Sequence, residues 1–193
     1  MKNNFKKWTA AAIGLVAVIS VQAQAPAWPK IDKSPLDLVY FPNNLPLNKL
    51  DAKKPVENVK FRVLYSRPQK NNRTIFGADI VPYGKVWRLG ANEATELETF
   101  VPVTIGNKKL PAGRYTLYAL VNENDWTFIV NKETDIWGAY KYEESKDLVR
   151  VKVPVQKIDT PVEALGCKVE KTDKGANLVF AWDTVSAALP ISF

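Results

Sequence analysis

From Val59 onward, apolar and polar positions alternate in short runs, with turn residues at intervals of about 8 to 12 positions. That is the period-two pattern of half-buried strands in a sandwich or barrel. Val59, Phe61, Val63 and Tyr65 alternate with Lys60, Arg62 and Leu64, and Val149, Val151 and Val153 alternate with Arg150 and Lys152. Val185, Ala187, Leu189, Ile191 and Phe193 share one parity, and Pro190 among them predicts an edge strand, because proline has no ladder donor. Between these runs, residues 114–121, 126–130, 165–169 and 178–182 read as further strands, most of them rich in β-branched or aromatic residues. Gly106-Asn107 predicts a tight hairpin turn between Val103-Thr104-Ile105 and Lys108-Lys109-Leu110, and Asp173-Lys174-Gly175 predicts another turn. Only Glu143 to Asp147 reads as helix, and briefly. With no internal repeat and no second domain, residues 59–193 predict an all-β fold, a single antiparallel β-sandwich of jelly-roll-like form.

The chain upstream has a different character. Residues 24–58 hold six of the thirteen prolines, at positions 26, 29, 35, 42, 46 and 55, and predict an extended proline-rich arm outside the core. Its apolar members, among them Trp28, Leu36, Leu38, Val39, Tyr40 and Phe41, are too many for a segment that floats in water, so it is expected to dock on the domain or on a partner. Residues 1–23 carry Lys2, Lys6 and Lys7, then an apolar run from Ala10 to Ile19, then small residues, which is the layout of a secretory signal peptide cleaved after Ala23. The apolar run is shorter than the roughly 20 residues a membrane-spanning helix needs, and no later segment approaches that length. The expected location is therefore export to the periplasm or the extracellular space, with no transmembrane segment in the mature chain.

Composition removes whole classes of chemistry. The chain has no histidine, which excludes His-based triads, His acid–base steps and the usual zinc sites. Its acids are too dispersed for a carboxylate calcium site, so neither a metal nor an obligatory cofactor is expected. The single cysteine, Cys167, shares a strand face with Leu165 and Val169 and reads as a buried thiol that forms no intrachain disulfide. The formal charge of +7 falls to +4 when the three leader lysines are removed, and the remaining cations are scattered rather than gathered into a stripe. Nucleic acid is not an expected partner.

The densest polar chemistry lies in Val81 to Thr95, where Arg88, Asn92 and Glu93 crowd around Gly90. A bend at Gly90 would let Arg88 and Glu93 converge on one pocket with Asn92 beside them. An arginine fork suits carboxylates or vicinal hydroxyls, and the amide and carboxylate fix orientation. The alternative is an Arg88–Glu93 ion pair that only supports the turn. Arg67, held extended before Pro68, could reach the same pocket or pair with a surface acid. Glu96 and Glu98 share a strand face and could form a glycosidase-type pair or remain solvated. Trp137, Tyr140 and Tyr142 surround Gly138 in a loop, where they could stack on sugar rings or plug the core, while Trp87 and Trp126 read as core.

Several tracts together resemble the family of exported bacterial domains of unknown function numbered 2911: Tyr65-Ser66-Arg67-Pro68, Arg73-Thr74-Ile75-Phe76-Gly77, Val81 to Thr95, Lys109 to Gly113 with Tyr115, and Trp137-Gly138-Ala139-Tyr140. The resemblance spans roughly residues 59–193; it implies an exported bacterial protein and brings no activity with it. The leading expectation is a non-enzymatic domain that binds a small polar or carbohydrate-like ligand through Arg88, Asn92, Glu93 and Arg67, with Trp137 and Tyr140 as stacking surfaces. One alternative is a histidine-free hydrolase or lyase with Glu93 as general acid or base, which requires that Glu93 be buried. The other is a module that grips an envelope protein by a sheet edge or by the arm.

Overall fold

A computed structural model describes residues 28–43, 45–53 and 57–193. The leader reading of residues 1–23 lies outside the described residues. The fold below is that of Ile31 to Phe193, one compact unit.

The order along the chain is β1 (Leu36–Phe41), α1 (Leu45–Asn48), β2 (Phe61–Ser66), β3 (Val86–Trp87), β4 (Thr95–Thr99), β5 (Val103–Ile105), β6 (Lys108–Leu110), β7 (Gly113–Val121) and β8 (Asp125–Asn131). A 3-10 turn (Glu144–Lys146), β9 (Asp147–Pro154), β10 (Gln156–Thr172) and β11 (Gly175–Ser192) complete it. The first sheet runs β1-β2-β4-β7-β8-β9 with β3 paired to β7, and the second runs β10-β11-β5-β6. Every pairing between these strands is antiparallel. The alternation that marks the strands in the sequence supplies the core. Phe61, Val63 and Tyr65 from β2, Leu117 from β7 and Trp126 and Phe128 from β8 face Leu165, Leu178, Phe180, Leu189 and Ile191 of the second sheet. At the centre the rings of Trp87 and Trp182 stack with centroids 6.0 Å apart, and Phe76 and Trp126 meet them at steeper angles. Such clusters fill the roughly 10 Å between two packed sheets.

Two expectations need correction. The stretch read as an arm outside the core contributes β1, which pairs along β2 from Leu36↔Ser66 to Phe41↔Phe61, and Phe41 is buried. Two of its six prolines, at 35 and 42, flank the strand, and none lies within it, so the ladder loses no donor. Leu36, Leu38, Val39, Tyr40 and Phe41 are strand residues, and this part of the segment docks in cis. Pro190, in turn, does not mark an edge, because β11 lies between β10 and β5. It falls between the last pair with β10, Ser186↔Gln156, and the first with β5, Ile191↔Ile105.

β11 also changes phase. Leu178, Phe180 and Trp182 face the core on even positions, and Ala187, Leu189 and Ile191 on odd ones. Asp183, at φ +52°, absorbs the extra residue as a bulge does. β10 answers with register shifts on either side of Val162, and the hairpin bends. Lys70 holds the bend through an ion pair to Asp183 of 2.6 Å, while the backbone N–H of Lys70 bonds Glu163 O and that of Leu165 bonds Pro68 O.

Candidate functional site

On the face of the first sheet turned away from the core, β2, β4 and β7 carry a ladder of opposite charges. Register places Arg62 opposite Glu98, and Glu98 opposite Arg114. Arg62 Nε lies 2.5 Å from Glu98 Oε2, while Arg114 donates to Glu96 and, at 2.7 Å, to Asp135 Oδ1. These bonds raise the Arg114 pKa above its ordinary value, Glu96 contributing most, and the hydrogen bond from Arg114 holds the Asp135 carboxyl below the usual carboxylate range. A groove of about 210 Å³ opens here, lined by Leu64, Ser66, Glu93, Glu96, Arg114 and Asp135 among others.

The segment after β8 forms one wall of this groove because it is strapped to the sheet. Thr116 Oγ1 donates to Glu133 O at 2.6 Å, Asn131 Nδ2 donates to Glu143 O at 3.1 Å, and the Tyr142 ring meets the buried Tyr118 ring edge-on at 5.3 Å. The Tyr142 hydroxyl donates to Asp147 Oδ2 at 2.6 Å. Across from it, the Arg88–Thr95 loop is closed by bonds from Thr95 N to Arg88 O and from Thr95 Oγ1 to Leu89 O. The two segments then zip together: Ala94 N bonds Ile136 O and Gly138 N bonds Asn92 O, each at 2.9 Å. These bonds bracket the antiparallel bridge Glu93↔Trp137. A pair flanked in this way is the non-hydrogen-bonded kind, with Cα atoms about 4.5 Å apart and both side chains on one face. The structure therefore sets the Glu93 carboxylate beside the Trp137 indole, which is 61% exposed. Tyr140, 82% exposed, lays its ring over Gly138, where a Cβ would come within 2.7 Å of it.

Of the residues expected at a site, Asn92, Glu93, Trp137 and Tyr140 are thus brought together, Asn92 through its carbonyl. Glu93 lines the groove, whereas Asn92, Trp137, Tyr140, Arg88 and Arg67 do not. Arg88 is half-buried, its Nε has no hydrogen-bond partner among the described residues, and it makes no ion pair there with Glu93. Neither the convergent pocket nor the supporting ion pair forms, because Gly90 is not the bend. Leu89 (φ +54°) and Asn92 (φ +57°) make the turns, while Gly90 lies against β2, where a Cβ would be 3.1 Å from Ser66 O. Arg67 is a clasp: it donates to Asp37 Oδ2 at 3.0 Å and to Leu165 O at 3.1 Å, tying β1 to β10. Tyr142 packs against the sheet, whereas Trp137 and Tyr140 do not plug the core. Glu96 and Glu98 share a face as expected, but each is engaged by an arginine instead of facing the other across an open gap. Glu93 is exposed, contrary to what the enzymatic alternative requires.

Arg114, Asp135, Ser66 and Thr116 escaped the sequence reading. The spacing of Glu96 and Glu98 on one strand against a lone Arg114 on the next was the available signal for a charge ladder; the place of Asp135 depends on the strapped loop and has none. Among the described residues no group of Asp, Glu and Cys is placed to hold a metal ion, and no helix is long and apolar enough to cross a membrane.

A family model described as protein of unknown function (DUF2911) matches residues 47–191, from α1 to the end of β11. The chain belongs to this family. No curated protein and no solved structure matches it.

Proposed function

We propose that this member of the DUF2911 family is an exported, non-enzymatic domain that binds a small polar, carbohydrate-like ligand in the groove beside Glu93 and Trp137. One observation carries the reading: a backbone bridge pairs Glu93, an exposed carboxylate on the wall of a charged groove, with Trp137, an exposed indole that follows Ile136 of the same wall. A flat aromatic face receives the apolar face of a sugar ring, while a carboxylate accepts from its hydroxyls and a guanidinium donates to them. Exposed indole that contributes nothing to the core is otherwise unfavourable surface, and its rigid mounting lowers the entropy lost when a ligand settles on it. The leader-like residues 1–23 and the family resemblance support export.

The test is a thermal-shift screen against neutral sugars, uronic acids and small organic acids, repeated on Trp137→Ala and Glu93→Gln. A ligand at about 100 times its Kd should stabilise by about 2.7 kcal/mol, or roughly 5–10 °C. The shift should vanish in Trp137→Ala and shrink in Glu93→Gln, with the unliganded melting point of both unchanged. A shift that survives both substitutions, or none across the panel, overturns the reading.

A further inference from the structure

The second sheet holds a larger concavity that the groove does not explain. The bent β10–β11 hairpin forms a half-open concavity of about 470 Å³ on the face turned away from the core. Both arms contribute, Gly166 and Lys168 with Val179 and Ala181 from one, Gln156 and Ile158 with Ser186 and Ala188 from the other. The phase change at Asp183 makes this possible, since it turns positions 177, 179 and 181 and then 186 and 188 toward the same space. Without the extra residue one arm would present core side chains there.

The floor is buried yet unfilled. Val179 is 8% exposed and Ser186 6%, although both lie on the face turned away from the core, and Ser186 Oγ donates to Gln156 O at 3.4 Å. Where Gly166 pairs with Ala181 across the two strands, a Cβ on Gly166 would find nothing closer than 3.8 Å. The volume lies within the roughly 300–1,000 Å³ of small-molecule sites. The rim is polar: Asn177 and Gln156 offer amides, and the Lys168 ammonium is paired with Glu170 at 2.7 Å, so their charges cancel. Among the described residues, none of the large exposed hydrophobic ones borders the opening, which there lacks the aromatic anchors of a protein-binding surface.

We infer that the bent β10–β11 hairpin forms a second binding site, for a compact, neutral, mainly apolar molecule with one or two hydrogen-bonding groups. The apolar body lies on Val162, Val179, Ala181 and Ala188, and the polar groups meet Asn177 and Gln156. This inference is independent of the groove at Trp137.

The probe is 1-aminoanthracene, a neutral tricyclic amine whose fluorescence rises when it leaves water, titrated into the folded protein. Saturable binding of one probe per chain is expected. Ala181→Trp should weaken it at least tenfold, since the indole fills the cavity over Gly166, a pairing that also supports the strand. Asn177→Phe, at the half-buried rim, is the second filling variant and should weaken it at least threefold; Trp137→Ala should leave it unchanged. Melting curves of both variants confirm that they are folded. Absence of saturable binding up to millimolar probe, binding unchanged in both filled variants, or binding lost in Trp137→Ala alone overturns the inference.

Discussion

Replacing Gly175 by alanine tests how β11 closes on itself. The strand leaves the turn after β10 at Gly175 and ends at Ser192, yet its two ends touch: a Cβ on Gly175 would stand 2.1 Å from Ile191 O and 2.8 Å from Ser192 Cα. Both are backbone atoms, so no side-chain rotation relieves the clash. The C-terminal segment must move by about an ångström, and three interactions move with it. Ile191, 2% exposed, fills the core; the pairs Ile191↔Ile105 and Ser192↔Thr104 join β11 to β5; and Phe193 N bonds Lys174 O at 3.3 Å while its ring meets Phe41 at 5.3 Å. Overpacking that the structure absorbs costs about 1–3 kcal/mol. Complete detachment would cost about 2–3 kcal/mol for the isoleucine and about 1 kcal/mol for each ladder bond. The expectation is therefore about 3 kcal/mol, or a melting point lower by roughly 6–12 °C, from urea and thermal unfolding. Gly84→Ala is the control: its φ is +72°, but no atom lies within 4 Å of the added methyl, so only backbone strain of about 1 kcal/mol is expected. A Gly175→Ala protein that melts within about 2 °C of the wild type, or no lower than Gly84→Ala, would refute the closure.

Phe41→Ala should cost about 3–5 kcal/mol in urea unfolding, because the ring is buried and stacks on Phe61 at 5.6 Å; a loss under about 0.5 kcal/mol would mean that the proline-rich segment is detachable after all. Stability should fall as pH rises from about 10 to 12. Burial raises the Tyr65 and Tyr118 hydroxyls to about 12 from an ordinary 10.0, so between those values the unfolded chain releases protons that the folded one keeps. That stability is complete below pH 10 and is lost toward 12, at up to about 1.4 kcal/mol per pH unit for each tyrosine. Urea midpoints at pH 9, 10.5 and 12 measure the slope, Tyr118→Phe should flatten it, and a midpoint constant across that range would contradict the account.

What could be read from the sequence followed from local rules. Alternation at Phe61, Val63 and Tyr65 fixes which side of β2 is buried, Gly106 with a φ of +59° makes the β5–β6 hairpin turn, and Glu144–Lys146 makes the one brief helical turn of its region. The misreadings came where a local sign had a non-local cause. The prolines at 35 and 42 signalled an arm because their compatibility with a strand between them shows only once β2 is in place. Gly90 signalled a bend, but its role is close approach to Ser66, a residue 24 positions earlier in the chain. Even the phase change of β11 was legible, as even-numbered Leu178, Phe180 and Trp182 followed by odd-numbered Ala187, Leu189 and Ile191; what it builds was not.

Side-chain period and composition are properties of neighbouring residues, so they carry most of the strands from Val59 onward, the faces those strands bury and the exclusion of histidine chemistry. The pairing of Glu93 with Trp137, the gathering of Glu96 and Asp135 by Arg114, and the concavity of the bent hairpin are not in that local pattern. Each of these depends on register between segments far apart in the chain, and register is set by how the whole core packs, a sum over both sheets that no local pattern contains.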